Sequence, residues 1–149
     1  MQAGLGQTSR ARVNLSRSEV PVISVVDDDP SVVEAVVSLL ESVGYSAAGF
    51  TSAEEFVNSA RLGRTACLVL DVRMPGMGGL ELQRRLAARV DPTPIIFITA
   101  HSGDAISAEA LRQGAVAFLR KPFSQDSLLE AVQAALARRA GSSAPEETP

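Results

Sequence analysis

A single cysteine, Cys67, in 149 residues excludes an internal disulfide and a thiolate metal cluster. No apolar run approaches the length of a membrane span, which argues against a transmembrane protein. Residues Met1 to Val20 are mostly Gly, Gln, Ser and Arg and lack the continuous apolar stretch of a signal peptide, so the expected location is the cytoplasm. Positive charge is not in excess: 14 basic residues against 17 acidic give a net charge of -3. That balance speaks against a mainly electrostatic grip on nucleic acid and leaves room only for a local basic patch. Lysine and histidine are scarce as well, with one each, Lys121 and His101. The other thirteen Lys/Arg positions are arginines, so Lys121 is not there for solubility alone.

What remains is the composition of one soluble globular domain, 46% hydrophobic and 21% charged. Residues 1–19 lack periodicity, carry Arg10, Arg12 and Arg17, and read as a flexible arm. From Gly141 to Pro149 the chain reads as a disordered tail or a truncated linker. The expected domain is 20–140.

Within it, short apolar runs recur at Val22–Val26, Tyr45–Phe50, Cys67–Leu70, Ile95–Ile98 and Val116–Leu119. Four are nearly continuous in branched or aromatic residues, as strands covered on both faces are. Tyr45–Phe50, with Ser46 and Gly49, is weaker and suits an edge. Helical patterns fill the gaps. Val33, Val36, Val37, Leu40 and Val43 share a face, with Pro30 in the first turn and Gly44 as the stop. Ser52 and Glu55 form a capping-box candidate for a helix to about Ala60. Leu80, Leu82, Leu86 and Val90 suggest a third helix, Ala105 to Gln113 a fourth. Ser124 caps a fifth, with Leu128, Leu129, Val132, Ala135 and Leu136 inward and Arg138 and Arg139 favourable at its end. The fivefold βα repeat implies right-handed crossovers and a doubly wound parallel α/β sheet.

In such sheets the site lies beyond the carboxyl ends of the strands. The first strand is followed by Asp27, Asp28 and Asp29, the third by Asp71, the fourth by Thr99 and the fifth by Lys121. Only the edge strand offers nothing but Thr51 and Ser52. Clustered carboxylates resist full ionisation unless a cation neutralises them. Mg²⁺ takes one or two carboxylates and keeps several waters, a role that suits Asp27, Asp28 and Asp71. Lys121 can pair with an anion and Thr99 can donate one hydrogen bond to it. A carboxylate can also be a nucleophile, with metal, ammonium and hydroxyl stabilising the transferring phosphoryl oxygens. The chemistry points to Mg²⁺-assisted phosphorylation of an aspartate.

Val25-Val26-Asp27-Asp28-Asp29, Asp71-Val72-Arg73-Met74-Pro75-Gly76-Met77-Gly78-Gly79-Leu80, Ile98-Thr99-Ala100 and Lys121-Pro122-Phe123 resemble the receiver domain of bacterial two-component response regulators. The flavour is closest to the nitrogen-fixation regulator type, and the resemblance spans residues 21–139. It implies a flavodoxin-like (βα)5 fold with sheet order 2-1-3-4-5 and helices on both faces. It makes Asp71 the phosphoacceptor. Asp28 and Asp71 would bind Mg²⁺ directly, Asp27 largely through water, and the backbone carbonyl of Arg73 would add a ligand. Lys121 would pair with the phosphoryl group or, before it arrives, with Asp71. Thr99 would swing toward the phosphate, with Phe118 as the switching aromatic. The Lys121–Pro122 bond is expected to be cis, and Gly78 and Gly79 to fit a turn where a side chain would crowd the backbone. The implied partners are a histidine kinase or phosphotransfer protein, and a downstream protein target or a C-terminal output domain. No direct nucleic-acid contact by this chain is implied. The family also admits phosphorylation-linked homodimers through the face of the fourth and fifth helices.

Blander roles compete. Asp29 reads as an N-cap before Pro30, Cys67 as a small core residue and His101, at a position that gates water access to the phosphate in the family, as a solvated loop histidine. Thr99 could cap its loop, Arg73 sits where the family tunes phosphate lifetime, and Phe118 is compatible with both core and switch. The domain is read as a switch and not an enzyme in the usual sense, catalysing only its own phosphorylation and dephosphorylation. A different class remains as the alternative: a Mg²⁺-dependent phosphohydrolase with Asp27 as nucleophile and Asp29 as acid, which would leave Asp71, Pro75 and Gly79 unexplained. A receiver-like binding module without phosphorylation is the third, against which the intact acidic residues argue.

Overall fold

The computed structural model describes residues 20–100 and 104–143. Five strands alternate with five helices: β1 Val22–Val26, α1 Pro30–Ser42, β2 Ser46–Phe50, α2 Ala53–Val57, β3 Cys67–Asp71, α3 Gly79–Ala88, β4 Ile95–Thr99, α4 Asp104–Arg112, β5 Ala117–Arg120 and α5 Gln125–Ser143. All neighbouring strand pairs are parallel, in the order β2-β1-β3-β4-β5. The edge expected for the polar run at Ser46–Phe50 is therefore where it lies.

Side-chain alternation along the central strands divides the core in two. Leu68 and Leu70 of β3 face a cluster with Phe56 of α2, Leu82 and Leu86 of α3 and Phe97 of β4. Cys67 and Val69 face the other side, with Val36 and Leu40 of α1 and Leu128, Val132 and Ala135 of α5. Both β3 and β4 are buried along their whole length, which is why their sequences are continuous and not alternating.

The helix signals act as the residue chemistry dictates. Asp29 is the N-cap of α1, its carboxylate accepting the Ser31 N–H at 2.9 Å ahead of Pro30. Ser52 accepts from the Glu55 N–H at 3.0 Å, but the capping box is not reciprocal: Glu55 Oε1 accepts from Thr51 N–H at 2.8 Å. Ser124 Oγ accepts the Ser127 N–H at the start of α5.

Several expectations need correction. The helix α2 ends at Val57 and not near Ala60, Val43 is the half-exposed C-cap of α1, and β5 is a partly buried edge strand and not one covered on both faces. Val90 does not belong to the inward face of α3: the helix ends at Ala88, and Val90 lies beyond it with φ 57° and 84% of its surface exposed. The helix α5 does not stop at 140 but runs to Ser143, past Gly141, since nothing before Pro145 breaks it. Consequently Arg138 and Arg139 precede its last turn, and Arg138 instead donates to the Gly114 carbonyl at 2.9 Å. The arm 1–19, His101 and residues 144–149 lie outside the described residues.

Candidate functional site

Strand register sets the site. Val26 of β1 pairs with Leu70 of β3, so Asp27 and Asp71 leave adjacent strands at one level. Asp71 pairs with Ile98 and Thr99 with Arg120, which places Thr99 and then Lys121 along the same rim. The Lys121 N–H donates to the Thr99 carbonyl at 2.7 Å, and the Lys121–Pro122 peptide is cis as expected.

One oxygen each of Asp27, Asp28 and Asp71 lies within 4.8 Å of the others. Asp29 stands apart from this group, its carboxylate occupied by the α1 cap. Asp27 is fully buried. Its Oδ1 accepts the Asp29 N–H at 2.9 Å and its Oδ2 accepts Lys121 Nζ at 2.7 Å. Asp71 is also buried, whereas Asp28 faces solvent.

The lysine is the point of difference from expectation. Lys121 Nζ is 3.9 Å from Asp71 Oδ2, so its primary partner is Asp27. The reason is electrostatic: each acid accepts one backbone N–H, from Asp29 and from Arg73, but Asp27 is the more deeply buried of the two and gains most from a cation. Burial, then the charge of Asp27, raises the Asp71 carboxyl from 3.8 to about 6 against the opposing pull of Lys121 and the Arg73 amide.

Thr99 is buried at the end of β4. Phe118 is half-buried on β5, its ring 6.1 Å from that of Phe97, so it belongs to the core edge that abuts the site. The Arg73 side chain is exposed. Behind Asp71, α3 starts so close to β3 that a Cβ at Gly79 would stand 2.3 Å from the Asp71 carbonyl oxygen. At Gly78 it would be 3.2 Å from the Val72 oxygen. The crowding expected at both glycines is present.

Sequence reasoning missed Glu54. From the first turn of α2 its Oε2 accepts the Met77 N–H at 2.8 Å, in the loop that follows Asp71. A glutamate on a short polar helix has no pattern that distinguishes it from a solvated one.

The donor set fits a hard divalent cation. All three candidate ligands offer carboxylate oxygen, and one ammonium leaves two of three negative charges unbalanced when all are ionised. Two buried acids and one exposed acid thus converge beside a single lysine at the carboxyl ends of the neighbouring strands β1 and β3, the switch point of a doubly wound sheet where ligands of such folds bind.

Residues 23–133 match the response regulator receiver domain, and the chain belongs to that family, the receivers of two-component systems. Among its relatives is the response regulator protein TmoT of Ectopseudomonas mendocina, 43% identical over 131 residues, covering 88% of this chain and 58% of that protein. The transcriptional regulatory protein FixJ of Azorhizobium caulinodans is 41% identical over 118 residues, covering 79% of this chain and 56% of its own length. The nitrogen-fixation flavour of the motifs is thus borne out. Among solved structures, the response regulator StyR superposes with a TM-score of 0.78 at 43% identity, covering 86% of this chain and 65% of that one. The chain spans little more than half the length of these curated relatives. Among the described residues no helix is long and apolar enough to cross a membrane.

Proposed function

We propose that Asp71 accepts a phosphoryl group from the phosphohistidine of a partner histidine kinase or phosphotransfer protein, in the cytoplasm and with Mg²⁺. The observation that carries this reading is the convergence of Asp27, Asp28 and Asp71 within 4.8 Å, with Lys121 at 2.7 Å from Asp27 and 3.9 Å from Asp71. Asp27, Asp28, Asp71 and the Arg73 carbonyl would hold the metal. When bound, Mg²⁺ supplies charge neutralisation for the phosphoryl oxygens.

The chain's own residues do the rest. Asp71, with a pKa of about 6, is mostly ionised at neutral pH and so is a competent nucleophile. Its oxygen forms the new P–O bond while the P–N bond of the donor breaks, the electron pair staying on the ring nitrogen. Lys121 sits within reach of both buried carboxylates and can turn from Asp27 to the new anion. Thr99 donates its hydroxyl to a phosphoryl oxygen, and its movement opens space for Phe118. That pair forms the bistable element which shifts the face of α4, β5 and α5 toward its partner, a downstream protein or an output domain. Beside the acceptor rim, an apolar groove of about 380 Å³ between α1 and Lys121–Phe123 would receive the donor.

The phosphohydrolase alternative loses its nucleophile. Both oxygens of Asp27 are engaged and the residue is fully buried, while Asp29 caps α1.

Incubation with Mg²⁺ and acetyl phosphate, followed by intact mass measurement, tests the assignment. One added phosphoryl group on the wild type, none on Asp71→Asn and none with chelator is the expected result. A phosphoryl group on Asp71→Asn would overturn it.

A further inference from the structure

The geometry points to Glu54 as a positioning residue for the acceptor loop: its carboxylate, held on α2, fixes the Val72–Met77 backbone and thereby sets Mg²⁺ affinity and phosphoryl acceptance at Asp71. This rests on the reading of Asp71 given above.

The loop between β3 and α3 leaves the sheet through the Val72 N–H, which donates to the Ile98 carbonyl at 3.2 Å, and is tied at two further points. At its neck the Gly79 N–H donates to the Val72 carbonyl at 2.9 Å. At its far end the Met77 N–H donates to Glu54 Oε2 at 2.8 Å, a contact between residues 23 positions apart. Between them lies Arg73, whose N–H faces the Asp71 carboxylate and whose carbonyl is the candidate metal ligand. Val72 and Met77 bury their side chains in the core, so the direction of the Met77 amide is fixed.

The chain leaves a place for the carboxylate. Gly76 has φ +75°, a conformation that L side chains rarely adopt, and a Cβ there would stand 2.6 Å from Glu54 Oε2. Turn and carboxylate therefore require the same glycine. The support behind Glu54 is rigid: Ala53 and Phe56 of α2 are buried and Ser52 caps the helix. A charge-assisted bond from a backbone amide is stronger than a neutral one, and the Met77 bond itself holds the Glu54 carboxyl below its usual range. Cutting this bond frees one end of the loop and leaves the ligand carbonyl to be ordered at the cost of metal binding.

Glu55 on the same helix provides the control. It accepts from Thr51 N–H at 2.8 Å, a local cap that does not touch the loop. Mg²⁺ titration by calorimetry, urea unfolding and the rate of phosphorylation by acetyl phosphate would be measured on the wild-type chain, Glu54→Ala, Glu54→Gln and Glu55→Ala. Glu54→Ala is expected to weaken Mg²⁺ binding about two- to tenfold, the range of one net hydrogen bond. The Mg²⁺ concentration for half-maximal phosphorylation should rise by the same factor, and the Met77 amide should exchange faster with solvent. Glu54→Gln, whose amide oxygen still accepts, should recover most of the loss. Glu55→Ala should lower the urea midpoint and leave Mg²⁺ affinity unchanged. Wild-type affinity in Glu54→Ala, or an equal loss in Glu55→Ala, would overturn the assignment while leaving Asp71 as acceptor. A wild-type chain that neither binds Mg²⁺ nor gains a phosphoryl group would overturn both.

Discussion

Lys121 is bonded to Asp27 across 94 residues of sequence, at 2.7 Å, and stands 3.9 Å from Asp71. The chain's only lysine thus spans two buried carboxylates and belongs more to one than the other. Removing it leaves a fully buried Asp27 without its cation, which costs far more than a surface pair would. Lys121→Met, which keeps the stem and loses the charge, should destabilise the metal-free protein by about 3 kcal/mol. It should also bind Mg²⁺ more tightly than the wild type, because the ammonium no longer competes for the acidic cluster. Urea unfolding with and without Mg²⁺ checks both: the stability deficit of the variant should shrink as Mg²⁺ is added.

The raised carboxyl of Asp71 makes stability depend on pH in a particular direction. The folded-state value of about 6 exceeds the ordinary 3.8, so the folded protein binds the proton more tightly than the unfolded chain. Stability from this group is fully present below pH 3.8, falls as pH rises toward 6, and is flat above. Asp71→Asn carries no such term. Without metal it should be more stable than the wild type by about 2 kcal/mol at pH 7.5, allowing for solvent screening, with the advantage shrinking below pH 6. Urea midpoints for both proteins between pH 4 and 8 provide the measurement. An advantage that does not change across that range would mean that Asp71 ionises in the fold as it does in the unfolded chain.

The strand ends were legible because burial on two faces forces continuous apolar runs, and the polar residue that follows each run must sit at the rim. Asp27, Asp71, Thr99 and Lys121 were found that way, and Asp29 was recognisable as a cap from Pro30 beside it. The unread features have other causes. The Asp27–Lys121 pairing depends on which of two acids loses more solvent, which is a property of depth and not of spacing. Glu54 reaches a residue 23 positions away from a helix whose pattern says only that it is exposed. Val90 continues the period of α3 by apolar character alone, although the chain has already turned out of the helix.

That turn has a measurable cost. Val90 occupies the left-handed region at φ 57° with its β-branched side chain exposed, a conformation that a glycine adopts freely. Val90→Gly should stabilise the protein by about 1 kcal/mol, the relieved strain outweighing the added freedom of the unfolded chain. The melting temperature should rise by about 4 °C. Phosphorylation should not change, since α3 runs from the acceptor loop to the opposite end of the sheet and Val90 lies beyond its far end.

Gly79 is the opposite case, a residue whose missing side chain keeps the acceptor in place. A Cβ there would stand 2.3 Å from the carbonyl oxygen of Asp71 and 3.0 Å from the Phe97 ring. The first of these is backbone and cannot rotate away, so α3 must move off β3. Gly79→Ala should therefore cost about 2 kcal/mol, as overpacking in a closed core does. The movement has a second effect, because the Gly79 N–H to Val72 carbonyl bond at 2.9 Å closes the acceptor loop. Displacing it shifts Arg73 relative to the Asp71 carboxylate. Phosphorylation by acetyl phosphate should fall in Gly79→Ala at a Mg²⁺ concentration that saturates the wild type, and circular dichroism would check that the variant is folded at the assay temperature. A folded Gly79→Ala that accepts phosphate at the wild-type rate would show that the loop tolerates displacement from β3, and that its geometry is set elsewhere.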